Sequence, residues 1–423
     1  MSEFFDALEI RDPAQRERDL MHALPGVIAR AMASAPAVSR QLQGVDPWSV
    51  SSREALGALP VVRKHELLEG QQQARAQLPV SAGAVARVFG GFSSVGWGQA
   101  LRVFASPGPI YEPETSRTDY WRFARAAYAA GFRAGDLVHN CFSYHFTPAG
   151  SMMETAAHAV GCTVFPGGTG QTELQVQAMR DLAPNGYMGT PSFLKIILEK
   201  ADELGVALPS LRRALVSGEA FPPSLRDWLA ARGIQGYQAY GSADLGMIAY
   251  ESPAREGLVM SEDLLIEIVR PGTGEVVPDG EVGEVVVTTF NPDYPLVRFG
   301  TGDLSAIMAG QSPCGRTNKR IRGWMGRADQ TTKVRGMFVH PGQIADIVRR
   351  YPEVLRARLV VSGTTGSDRM TLRIEVGRAD AALSTKLAES VREVTKLRGE
   401  VELVAVGSLP NDGKVIEDIR TYE

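Results

Sequence analysis

A short strand and the turn after it are encoded by Gly236-Tyr-Gln-Ala-Tyr-Gly-Ser-Ala-Asp244. Residues 236–239 read as a strand, and Gly241 lets the backbone turn sharply just beyond it. Ligands bind at the carboxyl ends of strands in open α/β sheets, and this turn falls at such an end. Tyr240 offers an aromatic face, and Asp244 offers a carboxylate for a hydroxyl group or a metal ion. Because Tyr-Gly-Ser turns are common, a purely structural role stays open.

The sequence upstream of this turn alternates between strand and helix signals. Strands are predicted at 136–140, 161–166 and 211–217, and helices are predicted at 151–160 and 190–205. Strands that alternate with helices favour a largely parallel sheet that is covered on both faces. The predicted fold class is therefore α/β.

The segments on either side of this region follow other patterns. Residues 1–100 are predicted to be mostly helical, with Pro13 at a helix start, and a further helix is predicted at 119–130. Beyond residue 260, the runs 264–269 and 282–288 are rich in β-formers and are separated by turn residues. These two runs predict an antiparallel β section.

The chain after residue 326 predicts a separate, smaller α+β domain. Its pattern reads strand, helix, strand, strand, helix, strand, and we place the boundary at 327–329. We therefore expect an N-terminal domain at 1–326 and a C-terminal domain at 327–423. Within the latter, Ser362-Gly-Thr-Thr-Gly366 reads like a phosphate loop, but no helix or lysine follows it at the required spacing. A hairpin turn is predicted there instead.

The composition excludes several classes of protein. The chain has 423 residues, with 45 Lys and Arg against 48 Asp and Glu, and a net charge of -3. This balance argues against nucleic-acid binding and against a polybasic membrane surface. Three scattered cysteines suit a reducing compartment, and no apolar run approaches the ~20 residues that span a bilayer. We expect a cytoplasmic protein that acts on a small molecule.

Three further runs contain candidate functional residues. In Arg298-Phe-Gly-Thr-Gly-Asp303, the last carboxylate is placed to accept two ribose hydroxyls, with a surface turn as the alternative. The other two runs are Gly326-Arg-Ala-Asp-Gln-Thr-Thr-Lys-Val-Arg-Gly336 and the terminal turn Asn411-Asp-Gly-Lys414. Each run taken alone is a weak signal.

In this order and spacing, the four runs resemble the adenylate-forming superfamily, and within it the phenylacetate–CoA ligase branch. The resemblance extends from about residue 102 to 414 and includes Gly135-Asp-Leu-Val-His-Asn, Gly161-Cys-Thr-Val-Phe-Pro and Thr172-Glu-Leu-Gln-Val-Gln. It implies a large N-terminal body with a small, mobile C-terminal domain. It also implies an ATP-dependent acid–CoA ligase for an aromatic or related acid. The expected cofactors are ATP or AMP, Mg²⁺ and CoA, and a homodimer is one expected assembly.

The resemblance assigns roles to individual residues. The residues that would bind the nucleotide are Gly218, Glu219, Tyr240, Gly241, Asp303 and Arg327. Lys414 would pair with the carboxylate and the α-phosphate during adenylation, and Asp329 would be the hinge of the small domain. Asp244 stands where the family usually has a glutamate that helps to hold Mg²⁺.

The phosphate loop is where the chain departs from the family pattern. The family aligns its Ser/Thr/Gly-rich loop with Ala105-Ser-Pro-Gly-Pro-Ile-Tyr-Glu-Pro113, in which Ser106 and Gly108 remain as phosphate-binding candidates. Glu112 stands where the family has a lysine, and a carboxylate that faces triphosphate would repel it. This departure motivates a second hypothesis, an adenylation-impaired homologue that binds acyl-CoA or AMP or transfers a preformed acyl thioester. A third hypothesis is a scaffold role.

A pocket for the acid is expected near the strands of the parallel sheet. Its predicted lining residues are Tyr144, His145, Phe146, Gly168 and Ala239, and core packing is the alternative for the aromatic ones. Some relatives hold a structural metal in the β section, but Cys314 is the lone thiol of the corresponding run. Because one thiol cannot make a tetrahedral site, we predict no zinc.

Overall fold

The fold is taken from a computed structural model, which describes residues 3–270, 273–325, 328, 332–335, 337–339, 341–364, 367–377, 380–410 and 414–420. The chain forms two compact units, Met1–Gly326 and Arg327–Glu423, and each is described by itself. Arg327 and Asp329, to which the sequence assigned a ligand contact and a hinge, lie outside the described residues.

The larger unit contains helices and strands in alternation. Its helices are α1 (Pro13–Ser34), α2 (Pro36–Gln41), α3 (Arg53–Gly57), α4 (Lys64–Gln77), α5 (Ala124–Ala129), α6 (Ala149–Val160), α7 (Thr172–Leu182), α8 (Pro191–Glu203) and α9 (Pro223–Ala231). Its strands are β1 (Val62–Arg63), β2 (Arg102–Ser106), β3 (Ile110–Glu114), β4 (Leu137–Asn140), β5 (Thr163–Phe165), β6 (Gly186–Gly189), β7 (Arg213–Val216), β8 (Gln235–Ser242), β9 (Gly246–Glu251), β10 (Leu258–Met260), β11 (Leu264–Val269), β12 (Gly283–Thr289), β13 (Phe299–Ser305), β14 (Ile307–Met308) and β15 (Arg320–Ile321).

The largest sheet is parallel in one half and antiparallel in the other. Within the described residues, nine strands follow the order β14-β15-β10-β9-β8-β7-β6-β4-β5. The strands from β5 to β8 are parallel to one another, which confirms the α/β prediction. Their carboxyl ends meet at one edge of the sheet, so the loops that follow them are brought together there.

Strand β8 is longer than the sequence predicted. Beyond residue 239 it continues to Ser242, because its second half pairs with β9 in the antiparallel direction, with a register shift between Tyr240 and Gly241. A β-carbon on Gly241 would lie 2.6 Å from the carbonyl oxygen of Gly246. The close approach of the two backbones therefore requires glycine at this position.

The predicted β section is a second sheet, in the order β1-β13-β12-β11. Strands β11 and β12 pair antiparallel from Leu264↔Thr289 to Val269↔Glu284, which confirms the prediction for this region. Every residue of both strands is buried. Strands in which every residue is buried are typical of sheets that are covered on both faces.

The helix predicted at 119–130 is much shorter in the structure. Helix α5 begins only at Ala124, and Asp119 and Arg122 adopt positive φ angles of 49° and 66°. Both carboxylate oxygens of Asp119 accept a hydrogen bond from the Ala124 N–H, at 3.1 Å. This side-chain contact stabilises a turn before the helix and replaces the first predicted helical residues.

The smaller unit is an α+β fold. Its elements are β16 (Thr332–Val334), β17 (Met337–Val339), α10 (Pro341–Val348), β18 (Val354–Ser362), β19 (Arg369–Val376), α11 (Ala381–Thr395), β20 (Glu400–Val404) and β21 (Ile416–Asp418). The first predicted strand is a two-stranded hairpin, and β21 is an additional strand. Strands β18 and β19 pair antiparallel up to Ser362↔Arg369, which confirms the predicted hairpin turn. Thr365 and Gly366 of that turn lie outside the described residues.

Candidate active site

The loops after β4 and β5 line a half-open cavity of about 330 Å³. The residues that line this cavity are Tyr144, His145, Pro166, Gly167, Gly168 and Thr169. A second cavity of about 280 Å³ shares Tyr144 and Pro166 with the first and is also lined by Arg102, Phe104, Ser151 and Glu154. The structure therefore brings three of the predicted pocket residues together, namely Tyr144, His145 and Gly168.

Two other predicted pocket residues lie elsewhere. Phe146 is 81% exposed, and its carbonyl oxygen accepts a hydrogen bond from the Ala105 N–H at 2.7 Å. Ala239 is buried, and its carbonyl oxygen accepts a hydrogen bond from the Ser217 hydroxyl. Neither residue lines either of the two cavities.

Tyr144 is the aromatic wall shared by the two cavities. Its hydroxyl accepts a hydrogen bond from Asn140 Nδ2 and donates one to Glu154 Oε2, both at 2.8 Å. Burial raises the pKa of the Tyr144 hydroxyl, and the hydrogen bond to Glu154 raises it further. The hydroxyl therefore stays protonated and fixes the orientation of the ring.

Gln175 supports the glycine loop of the cavity, and no local sequence pattern predicts a role for it. From α7, its Nε2 donates hydrogen bonds to the carbonyl oxygens of Gly167, Gly168 and Gly170, at 2.9, 3.3 and 3.2 Å. Its Oε1 lies 2.6 Å from Nε2 of the buried His139. The sequence signal that could have identified Gln175 is its position on α7, where an amide side chain shares the buried face of the helix with the apolar residues Val176 and Met179.

Tyr240 and Asp303, predicted to bind a nucleoside, are in direct contact. The Tyr240 hydroxyl donates a hydrogen bond to Asp303 Oδ2 at 2.9 Å, and Trp324 Nε1 donates one to Oδ1 at 3.1 Å. Both contacts fix the carboxylate beside the tyrosine ring. Ribose hydroxyls are satisfied by such an acceptor, since each carboxylate oxygen can take more than one hydrogen bond.

Gly218 and Glu219 follow β7, which is the neighbour of β8 in the sheet. The register Val216↔Gln238 places this loop next to the Tyr240 segment at the same edge. Both residues are exposed, and Glu219 Oε1 accepts a hydrogen bond from the backbone N–H of Ser192 at 2.7 Å. Glu219 therefore contacts the first turn of α8, where a carboxylate is favoured by the helix dipole.

The aligned phosphate loop is the hairpin of β2 and β3, with register Ser106↔Ile110. The Ser106 hydroxyl donates a hydrogen bond to Glu112 Oε1 at 2.6 Å. Both side chains are buried, and Glu112 is 0% exposed. The expectation that this carboxylate faces the triphosphate is therefore wrong, because the side chain points into the interior. Gly108 lies in the connecting turn between the two strands.

Glu112 shares its interior site with Asp244 and Lys64. Lys64 Nζ donates a hydrogen bond to Asp244 Oδ2 at 2.9 Å. Neither Asp244 Oδ1 nor Glu112 Oε2 has a donor elsewhere in the described part of the chain. Burial raises the pKa of Glu112 well above its ordinary value, and the adjacent Asp244 carboxylate raises it further. If Glu112 carries a proton, its carboxyl group can donate a hydrogen bond to Asp244. That one bond gives both Glu112 Oε2 and Asp244 Oδ1 a partner.

This arrangement does not fit the Mg²⁺ ligand that the resemblance suggested for Asp244. One carboxylate oxygen is occupied by the Lys64 ammonium, and the other faces the carboxyl group of Glu112. The Asp244 side chain is also only 2% exposed. A metal ion at Asp244 would need an unpaired carboxylate and a path from the solvent. The ion pair with Lys64 removes the first, and burial of the side chain removes the second.

Cys314 is the lone thiol of the run in which some relatives hold a structural metal, and it contacts two neighbouring side chains. Its Sγ lies 3.1 Å from Ser312 Oγ and 3.6 Å from Arg316 Nη1. Across the residues that the structure describes, no three His, Cys, Asp or Glu side chains are grouped closely enough to hold a metal ion. Nor is any described helix both long and apolar enough to cross a membrane.

Lys414, the predicted adenylation lysine, lies in the smaller unit. It is exposed and precedes β21, whereas residues 411–413 of its turn are outside the described residues. Its role, and those of Arg327 and Asp329, remain predictions.

Comparison with known proteins places the chain among enzymes that activate acids. A family described as AMP-binding enzyme matches residues 116–291. A phenylacetate-coenzyme A ligase of Aromatoleum evansii is 30% identical over 350 residues, which cover 79% of this chain and 75% of the relative. The corresponding ligase of Thermus thermophilus is 30% identical over 380 residues, covering 85% and 82%.

The solved structures agree with these relatives. A 2-hydroxyisobutyryl-CoA ligase in complex with 2-HIB-AMP and CoA superposes with a TM-score of 0.81 at 25% identity, covering 100% of this chain and 93% of the other. The fold and these relatives together define an adenylate-forming enzyme, which ligates a carboxylic acid to CoA through an acyl adenylate and uses ATP. Within that class, the chain belongs to the phenylacetate-coenzyme A ligase family.

Proposed function

We propose that this enzyme activates an aromatic or similarly flat carboxylic acid. The observation that carries the proposal is the pocket of about 330 Å³ that Tyr144 lines together with Gly167 and Gly168. An aromatic side chain and two residues without side chains in the lining of one pocket suit a flat ring. The phenylacetate-coenzyme A ligases that resemble this chain support the same class of acid.

The reaction has two steps. An oxygen of the acid attacks the α-phosphorus of ATP, pyrophosphate leaves, and an acyl adenylate forms. The thiol of CoA then attacks the acyl carbon and releases AMP. In the first step, Tyr240 stacks on the adenine, Asp303 binds the ribose, and Lys414 stabilises the negative charge that develops at the α-phosphate. Arg327 contacts the ribose or a phosphate, and Asp329 is the hinge between the two steps.

A second candidate function is favoured by the hairpin. Ser106 and Glu112 bond to each other, so the hairpin presents neither of these side chains to a phosphate. In this alternative, the protein binds acyl-CoA or AMP, or transfers a preformed acyl thioester, and does not react with ATP. Stabilisation by acyl-CoA without any stabilisation by ATP would favour it.

Hydroxamate trapping across a panel of aromatic and small aliphatic acids, including phenylacetate and 2-hydroxyisobutyrate, tests the proposal. We expect turnover with the aromatic acids, and we expect Tyr144→Ala to raise their KM about tenfold by removing one wall of the cavity. Tyr237→Ala is the matched control, because Tyr237 lies on β8 against Arg255. Turnover only with aliphatic acids would contradict the assignment of an aromatic substrate.

A further inference from the structure

Lys64 lies at the boundary between the protein interior and the solvent. It is the first residue of α4, and its Nζ is 2.9 Å from Asp244 Oδ2. The Asp244 side chain is 2% exposed, whereas the Lys64 side chain is 39% exposed. The carboxylate is therefore enclosed, while part of the lysine that it holds remains accessible to a ligand.

Helix α4 is attached to the hairpin that aligns with the phosphate loop. Gln71, two turns along the helix from Lys64, donates its Nε2 to the carbonyl oxygen of Tyr111 at 2.9 Å. Its Oε1 accepts a hydrogen bond from the Tyr111 N–H at 2.8 Å. This pair of hydrogen bonds fixes the helix, and with it the lysine, relative to the hairpin.

The same helix also lies beside the nucleoside-binding residues. Helix α4 packs against β13, the strand that carries Asp303, and Leu68, one turn from Lys64, packs against the same hydrophobic cluster as Tyr240. Asp244, the partner of Lys64, lies four residues after Tyr240 in the sequence. Lys64 is therefore placed between the hairpin and the segment that carries the stacking tyrosine.

The geometry of the cluster leaves no place for a metal ion at Asp244, because one carboxylate oxygen accepts a hydrogen bond from Lys64 Nζ and the side chain is 2% exposed. The exposed part of this ion pair is the lysine side chain. An ammonium group is a common ligand of phosphate oxygens and acts as a compact point charge.

We propose that Lys64 binds a phosphate group of the nucleotide, and that Asp244 is a positioning residue for Lys64 and not a Mg²⁺ ligand. The proposal rests on the proposed function for the identity of the nucleotide. It assigns to a lysine of α4 the phosphate contact that the hairpin side chains do not offer.

Calorimetric titration of the full chain with ATP tests the lysine. Loss of one charged hydrogen bond weakens binding by about 10- to 100-fold, and we expect this loss in Lys64→Met, with most of the affinity restored in Lys64→Arg. Lys319→Met is the matched control, since Lys319 forms a 2.9 Å pair with Asp279 in which both side chains are exposed. Equal ATP affinity of Lys64→Met and the wild-type chain overturns the proposal.

The role of Asp244 is tested by the dependence of ATP binding on Mg²⁺. If Asp244 positions Lys64, then Asp244→Asn weakens ATP binding both in EDTA and in Mg²⁺, and the half-saturating Mg²⁺ concentration is unchanged. If Asp244 is a metal ligand, that concentration rises, and the proposal is overturned. Lys64→Met alone leaves the buried Asp244 carboxylate without its ion-pair partner, which can prevent folding. The double variant Lys64→Met/Asp244→Asn removes both charges of the pair, so it can be tested in that case. We expect it to bind ATP as weakly as either single variant.

The outcomes also separate this inference from the proposed function. If no acid yields a hydroxamate but Lys64→Met weakens ATP binding, the proposed substrate class fails and the lysine assignment stands. If aromatic acids are activated and Lys64→Met binds ATP normally, the proposed substrate class stands and the lysine assignment fails. A wild-type chain that does not bind ATP overturns the inference.

Discussion

Glu112 accepts the Ser106 hydroxyl on one oxygen and faces Asp244 with the other, with no exposed surface. A carboxyl group in such a place is more stable in its neutral form, because burial and a like charge both disfavour ionisation. The residue that the sequence presents as a negative charge therefore behaves as a neutral hydrogen-bonding group.

Replacing Glu112 with glutamine should change the dependence of stability on pH. Because the folded pKa is raised above 4.5, the folded state holds this proton more tightly than the unfolded state does. The contribution of Glu112 to stability is therefore greatest at low pH and is lost as the pH rises above 4.5. Glu112→Gln should gain stability relative to wild type as the pH rises, measured by thermal unfolding from pH 5 to 8. Parallel curves for the two proteins would show that Glu112 is ionised in the folded state.

Gln175 should affect binding of the acid and not of ATP. Its amide holds three carbonyl oxygens of the loop 167–170, so Gln175→Ala removes the support of one cavity wall. We expect the KM for the acid to rise about tenfold, as for the loss of buried hydrogen bonds, while the KM for ATP stays unchanged. Gln177→Ala, an exposed position on the same helix, is the control. An equal rise in both KM values would indicate a general loss of structure.

The site could be predicted from the sequence only in part. Tyr240 and Asp303 belong to runs that are recognisable by their order and spacing along the chain, and the structure brings the Tyr240 hydroxyl within 2.9 Å of the Asp303 carboxylate. Lys64 could not be found in this way, because it is 180 residues from Asp244 and begins its helix without any recognisable motif. A side chain that reaches the site from an element distant in the sequence leaves no local sequence pattern by which it could be predicted.

At the scale of elements, prediction succeeded where a single pattern decides the structure. Strands β11 and β12 follow from apolar runs bounded by turn residues, and their predicted bounds are within one residue of the observed ones. The turn before α5 was missed, because its residues also have helical spacing. Its conformation depends on the Asp119 carboxylate and on the Trp121 carbonyl oxygen, which accepts a hydrogen bond from Met247.

This turn should respond to pH. Burial raises the pKa of Asp119 from 3.8 to about 7, so the folded state binds its proton more tightly than the unfolded state does. The contribution of Asp119 to stability should therefore fall as the pH rises from 3.8 to about 7 and be constant above that. Asp119→Asn keeps a carbonyl acceptor for Ala124 but cannot titrate. Its midpoint of thermal unfolding should rise relative to wild type up to about pH 7, and a constant difference would contradict this.

At the scale of the whole molecule, the two units are expected to contribute to different steps. Lys414 belongs to the smaller unit, and its proposed role is to stabilise charge only while the acid attacks the α-phosphate. Lys414→Ala should therefore slow adenylate formation by about 100- to 1,000-fold, while the conversion of a preformed acyl adenylate and CoA to the thioester continues. Lys386→Ala, an exposed position of the same unit, is the control. Equal loss of both steps would contradict the role proposed for Lys414.

The most direct test of the account is the product analysis of one reaction. The full chain is incubated with ATP, CoA and phenylacetate, and the products are identified by mass spectrometry. The account predicts phenylacetyl-CoA and AMP in equal amounts, with pyrophosphate as the other product. ADP in place of AMP, or no acyl-CoA from phenylacetate or any other aromatic acid, would contradict it.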